Sequence, residues 1–239
     1  GGSINSLMDA LLEEKERIRF VQVRHEEVGA MAASMHAKFT GHIGVAFGSA
    51  GPGGTHLMNG LYDAKEDHVP LLAIIGQFGT TGMNMDTFQE MNEDPIYADV
   101  SVYHRVVMTA QSLPHIIDEA IRQAYSKKGV AVVQLPVDLG WQEIEKDSWF
   151  DASQAYIQPE FAEPKQEALD HAMQILQKAE RPVIFSGIGM RGAGSELMAL
   201  SRKIKAPIMV SALAIDIVDD DFEAFLGSPT RVSRKPAND

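Results

Sequence analysis

Apolar residues recur along this chain at two periods, and each change of period predicts a switch between helix and strand. A first helix, capped by Ser3 or Asn5, is predicted to run to about residue 16 with Leu7, Ala10 and Leu11 as its apolar stripe. Residues 18–23 read as a strand. Residues 26–39 are helical, rich in Ala and Met, and Gly41 is the expected stop. A short buried strand follows at 43–47, then a Gly-rich loop, a helix to about residue 65 and a strand at 71–75. After a long loop from residue 76 the pattern predicts a short helix at 88–91, a strand at 106–108, a helix at 113–127 and a strand at 130–135. Continuous apolar strands separated by helices predict an α/β fold, a doubly wound parallel sheet covered on both faces.

The pattern fails over 138–164, which is polar, carries Trp149, Phe150 and Tyr156, and ends on Pro159 and Pro164. An interdomain linker is expected over 148–164, closing a first domain at 1–147. A second alternation runs from residue 165: helix to 179, strand 182–186, a Gly-rich turn, helix 195–204 and strand 207–211. Two strands and two helices are too few for a complete domain, so 165–239 is expected to be the start of a truncated second α/β domain. Both ends of the chain read as cuts through a longer protein.

Composition narrows the function classes. The 33 acids against 21 bases give a formal charge of -12, which repels phosphate backbones and argues against nucleic acid as a partner. With no cysteine, disulfides, iron–sulfur clusters and thiolate zinc sites are excluded, and a cytoplasmic location fits. No apolar run approaches the roughly 20 residues of a membrane helix, so no membrane partner is expected. The eight histidines include no H-x-x-x-H or H-E-x-x-H pair, and no protein-held metal is expected.

Three constellations could carry chemistry. Arg24-His25-Glu26-Glu27 lies where a strand gives way to a helix, at the kind of edge where parallel sheets bind ligands; first-turn acids also simply favour a helix N-terminus. Gly48-Ser-Ala-Gly-Pro-Gly-Gly-Thr55 joins a strand to a helix and allows close backbone approach to a ligand, or serves only as a tight turn; it lacks the Lys-Ser/Thr of a P-loop. Gly187-Ile-Gly189-Met-Arg-Gly192 has the form G-x-G-x-x-G without the acid expected about 20 residues later, and a plain turn reads equally well.

The order and spacing of Val23-Arg-His-Glu-Glu-Val-Gly-Ala30, Gly48-Ser-Ala-Gly-Pro-Gly53 and Asn84-Met-Asp-Thr-Phe-Gln-Glu90 resemble the pyrimidine-binding domain of thiamine diphosphate (ThDP) enzymes. The stretches 76–92 and Asp94-Pro-Ile-Tyr-Ala-Asp99 are similar to FAD-linked pyruvate oxidases in particular. The resemblance covers essentially the whole chain, strongest over 1–139. It implies that Glu26 bonds N1′ of the aminopyrimidine and thereby activates the cofactor as part of a general base. It further implies that Gly51, Pro52 and Gly53 approach the pyrimidine, and that Gly2, Ser3, His56, Phe88 and Gln89 line the substrate pocket. His56 and Gln89 would bond pyruvate or the intermediate, with Phe88 as a wall. Gly187, Gly189, Gly227, Ser228 and Arg231 would touch FAD, although 213–216 reads Leu-Ala-Ile-Asp where relatives show a Lys-Gly step. The ligands of Mg²⁺ would lie in a further domain outside this chain, and the first strand of the pyrimidine domain would also lie outside it.

The implied reaction is oxidative decarboxylation of pyruvate with phosphate and oxygen, giving acetyl phosphate, carbon dioxide and hydrogen peroxide. The implied assembly is a homo-oligomer, dimer or tetramer, in which each active site is shared between subunits. Two alternatives stand beside it: a carboligase of the acetolactate synthase type, and a catalytically silent α/β binding module.

Overall fold

In the computed structural model, which describes residues 1–145 and 163–229, every paired strand runs parallel to its neighbour. The chain divides into two units, Gly1–Glu160 and Phe161–Asp239.

The first unit is built on a four-stranded sheet in the order β1-β2-β4-β3, with β1 at Gly44–Gly48, β2 at Leu71–Gln77, β3 at Ser101–Val106 and β4 at Val130–Pro136. All seven residues of β4 are buried, which is why this strand reads as a continuous apolar run rather than an alternation. Side chains alternate across the sheet. Leu71, Ala73 and Ile75 of β2 join Val130 and Val132 of β4 in one core, closed by Ala30 and Ala33 of α2 (Glu26–Thr40), Leu61 and Ala64 of α4 (Met58–Glu66), and Tyr97 and Val100 of α5 (Asp94–Val100). Leu72, Ala131, Val133 and Leu135 face the opposite way, against Ala120 and Ala124 of α6 (Leu113–Lys127). Helices on both faces make this the expected doubly wound sheet.

Several predicted elements fall into place: α2 stops at Gly41, whose φ of 73° needs a glycine, and α6 spans the predicted residues. Four do not. The first helix, α1, covers only Asn5–Glu13, preceded by a 3-10 turn at Gly2–Ile4. Residues 18–23 form no strand and pair with none among the described residues; Phe20 instead stacks on Phe47 of β1 with centroids 5.7 Å apart. No helix forms at 88–91, because the Glu90 carboxylate gathers the amides of Asn84, Met85 and Thr87 into a compact loop; the helix begins at Asp94 instead. The strand expected at 106–108 lies earlier, at β3, where Tyr103, His104 and Arg105 pair with β4 after a register shift. The helix expected to end near residue 65 is broken in two, α3 (Pro52–His56) and α4.

In the second unit α7 (Gln166–Lys178), β5 (Ile184–Ser186), α8 (Gly194–Ile204) and β6 (Ile208–Val210) match the predicted alternation, and a further strand, β7 (Phe225–Gly227), gives the order β5-β6-β7. Leu197 of α8 packs with Ile208, Val210, Ala214, Val218 and Phe222. The expected linker lies, apart from residues 163–164, outside the described residues, as does Arg231.

Candidate active site

The C-terminal ends of the parallel strands in the first unit carry most of the candidate residues. His25 is extended, with φ -138° and ψ 134°, and Glu26 opens α2. Across the start of the next helices His56 Nδ1 lies 3.0 Å from Glu26 Oε2, and the His25 and His56 rings stack at 4.4 Å. Asn59 donates to Glu27 Oε1 at 2.8 Å, tying the same two helix ends together. Burial raises the Glu26 carboxyl, but bonds from its own amide and from His56, with the two nearby histidine rings, outweigh it and hold the group below its ordinary value. Glu26 therefore stands as a half-exposed carboxylate at a helix N-terminus, able to accept a hydrogen bond from a ligand.

The approach of these helices depends on a close contact. Gly60 of α4 lies against α2 such that a Cβ there would fall 2.4 Å from the Ala30 Cβ and 2.5 Å from the Ala30 carbonyl carbon. Only hydrogen fits, and the pairing of Glu26 with His56 one turn away follows from it.

The Gly-rich loop leaves β1 and enters α3. Gly51 has φ 64° and ψ -111°, a conformation open to glycine alone, and its α-carbon backs onto the Gln89 carbonyl. Pro52, in the first turn of α3, is exposed on the crest. The structure brings Ser3 to this loop, where its hydroxyl accepts the Ala50 amide at 2.8 Å, and brings Gln89 there through its backbone. Gly2 and the Phe88 side chain remain exposed, Phe88 to 82%.

Sequence reasoning missed Glu93. Its carboxylate, 2% exposed, accepts the Gly51 amide at 3.0 Å and the side-chain amides of Gln77 and Gln134, each at 2.7 Å. Burial pushes its pKa up, against the pull of these three donors. The available signal was a glutamine in each of two otherwise apolar strands: Gln77 ends β2, and Gln134 lies in β4 opposite Ile75.

In the second unit Gly187 follows β5 and Gly189 comes two residues later. A Cβ at either position would meet open space. Gly227 ends β7 at φ 92°, and the next residue, Ser228, has a buried hydroxyl with no partner among the described residues. Asp216, at the point of departure from the resembling family, pairs with Arg191 at 3.2 Å.

Comparison with known proteins bears directly on this arrangement. The family model for the thiamine pyrophosphate enzyme N-terminal TPP binding domain matches residues 1–96, and that for the central domain of the same enzymes matches residues 169–239. The chain belongs to the thiamine pyrophosphate enzyme family. Within it, the chain is 62% identical over all 239 residues to the pyruvate oxidase of Lactiplantibacillus plantarum, of which it covers 40%. It is 44% identical to YdaP of Bacillus subtilis over 99% of its own length and 41% of that protein, and 31% identical to the acetolactate synthase isozyme 2 large subunit of Escherichia coli, of which it covers 43%. The chain thus spans about two fifths of the length of these relatives.

Proposed function

We propose that this chain supplies the pyrimidine-binding half of a ThDP site and part of a flavin site in a pyruvate oxidase, acting within a longer polypeptide. The observation that carries the reading is the Glu26–His56 pair beside the Gly51-Pro52-Gly53 turn, in a chain 62% identical to a pyruvate oxidase.

The residues present fit ThDP. A half-exposed carboxylate stands ready at the start of α2, and the neighbouring turn has an exposed proline on its crest. ThDP, when bound, supplies the electron sink into which a 2-oxo acid decarboxylates. Glu26 would share a proton with the pyrimidine N1′, while Gly51, Pro52 and Gly53 set the plane of that ring. His56 keeps Glu26 oriented and, with Gln89, would bond the pyruvate carboxylate; Ser3, already fixed to the Ala50 amide, and Gly2 would border the same pocket, with exposed Phe88 as its wall.

The second unit fits FAD in the same sense. Open space at Gly187 and Gly189 admits a ligand close to the backbone, and the buried, unpartnered Ser228 hydroxyl has bonding capacity to offer. FAD, when bound, supplies the two-electron acceptor. The Arg191–Asp216 pair neutralises the acid at the position where an unpaired one would oppose an anionic cofactor. By the same resemblance Mg²⁺ would be held by residues of a further domain.

A homo-oligomer is favoured by α2. Its inner face is buried through Ala30, Ala33, Ser34 and Ala37, whereas Val28, Met31, Met35 and Phe39 form an exposed apolar stripe. No helix among the described residues is long and apolar enough to cross a membrane, and a cytoplasmic enzyme fits.

The test is made on the full-length protein: its visible spectrum and hydrogen peroxide release. The expected result is flavin absorbance with peroxide formed only when pyruvate, phosphate and ThDP are all present. Acetolactate formation without peroxide would assign it to the carboligases instead.

A further inference from the structure

Glu93 is an anomaly in the core beneath the sheet's C-terminal edge. No cation pairs with it among the described residues, and all its partners are neutral N–H groups: the Gly51 amide, Gln77 Nε2 and Gln134 Nε2. Burying a carboxylate on neutral donors alone is costly, and an apolar side chain would serve packing better. The position explains why the acid is useful. A carboxylate only accepts, and here three donors converge on its two oxygens. Gln77 and Gln134 come from the two central strands, each paired along both edges, while Gly51 belongs to the loop that follows β1. On its other side Gly51 is closed in by the Gln89 carbonyl, 2.3 Å from where a Cβ would stand.

We propose that Glu93 is a positioning residue that anchors the Gly51-Pro52-Gly53 turn to β2 and β4, and so sets where the cofactor's pyrimidine is held. It acts through the Gly51 amide and touches neither cofactor nor substrate. The inference rests on the ThDP reading given above.

The test uses the full-length enzyme stripped of cofactor and titrated with ThDP in the peroxide assay, comparing wild type with Glu93→Ala, Glu93→Asp and Glu93→Gln. Alanine removes the acceptor and aspartate withdraws it by one methylene. Glutamine keeps an oxygen for Gly51, and Gln77 and Gln134 can turn their amides to present oxygen to its NH₂ group. The expected result is an apparent KM for ThDP at least about tenfold higher for Ala and Asp and within about threefold of wild type for Gln, with kcat at saturating ThDP and KM for pyruvate little changed. A purely structural role would lower the amount of folded protein without that pattern. Should the alanine variant fail to fold, aspartate and glutamine decide. An unchanged KM for ThDP in folded Asp or Ala variants overturns the proposal, as does a glutamine variant as impaired as alanine. A wild type that binds ThDP alongside unaffected variants overturns this inference alone, whereas a wild type with no ThDP dependence overturns the functional reading too.

Discussion

Replacing Gly60 by alanine sets two effects of opposite sign against each other. In an open helix the change would add about 1 kcal/mol of stability, because alanine loses less backbone entropy than glycine. Here the new methyl would fall 2.4 Å from the Ala30 Cβ, 2.5 Å from its carbonyl carbon and 2.6 Å from the Met31 amide. Carbon atoms pack at about 3.5–4.0 Å, so α2 and α4 must part by about 1 Å. Two of the three obstructing atoms are backbone, which no rotamer change can clear. Overpacking of this kind costs about 1–3 kcal/mol, and it acts where Ala30, Leu61 and Ala64 close the core. With backbone atoms in the way the upper part of that range, about 2–3 kcal/mol, applies, so the strain outweighs the helix gain and leaves Gly60→Ala less stable by about 1–2 kcal/mol. Trp141 belongs to the first unit, so tryptophan fluorescence during urea unfolding reports on it. With a slope of about 2 kcal/mol per molar, the midpoint falls by about 0.5–1 M. A variant as stable as the parent, or more so, would refute the close contact and with it the account of how His56 is brought to Glu26.

Two further outcomes follow from the same unit. Lys38 bonds Asp63 at 2.6 Å and Asp67 at 2.5 Å; burial opposes its charge, but the two acids outweigh that and raise its pKa, while Asp63 is lowered by Lys38 and Ser34 against its own burial. Lys38→Met is expected to cost about 1–2 kcal/mol at neutral pH, between the values of exposed and buried pairs. Since the folded Asp63 pKa lies below its unfolded value, its stabilisation is full above the ordinary 3.8 and is lost as pH falls through the folded value, so the gap between parent and variant in urea melts should close in that window; a gap constant down to strong acid would contradict the pairing. Calorimetric titration of the isolated 239-residue chain with ThDP and Mg²⁺ should show no submicromolar binding, because the family resemblance puts the ligands of the cofactor's diphosphate end in a further domain; submicromolar affinity would overturn that division of the site.

Much of the first unit was legible in the sequence because its two central strands, β2 and β4, are buried on both faces and its helices carry clear stops. The run at β4 and the Gly41 cap of α2 are local signals that tertiary structure leaves intact. Residues 18–23 read as a strand from their apolar, β-branched content, yet such content records only a tendency to burial, and Phe20 meets it by stacking on Phe47 without a strand forming. The 88–91 turn was misread because Glu90 organises three amides through its side chain, which no periodicity reports. For the site, Glu26 and the Gly51-Pro52-Gly53 turn stood out as motifs. The 3.0 Å Glu26–His56 contact joins residues 30 positions apart and emerges only when Gly60 lets two helices meet. Glu93 was hidden for the same reason: beside Asp94-Pro95 it reads as one more acid before a helix, and its meaning comes from Gly51, Gln77 and Gln134.

The central claim is that Glu26 activates the cofactor, and Glu26→Gln in the full-length enzyme tests it most directly. The substitution keeps the side chain's shape and its ability to bond His56, and removes the carboxyl's capacity to hold a proton at the pyrimidine. Peroxide formation at saturating ThDP, pyruvate and phosphate should fall at least about 100-fold, the low end of what general acid–base groups contribute, with the fold intact by circular dichroism. Turnover within about twofold of the parent would contradict the account.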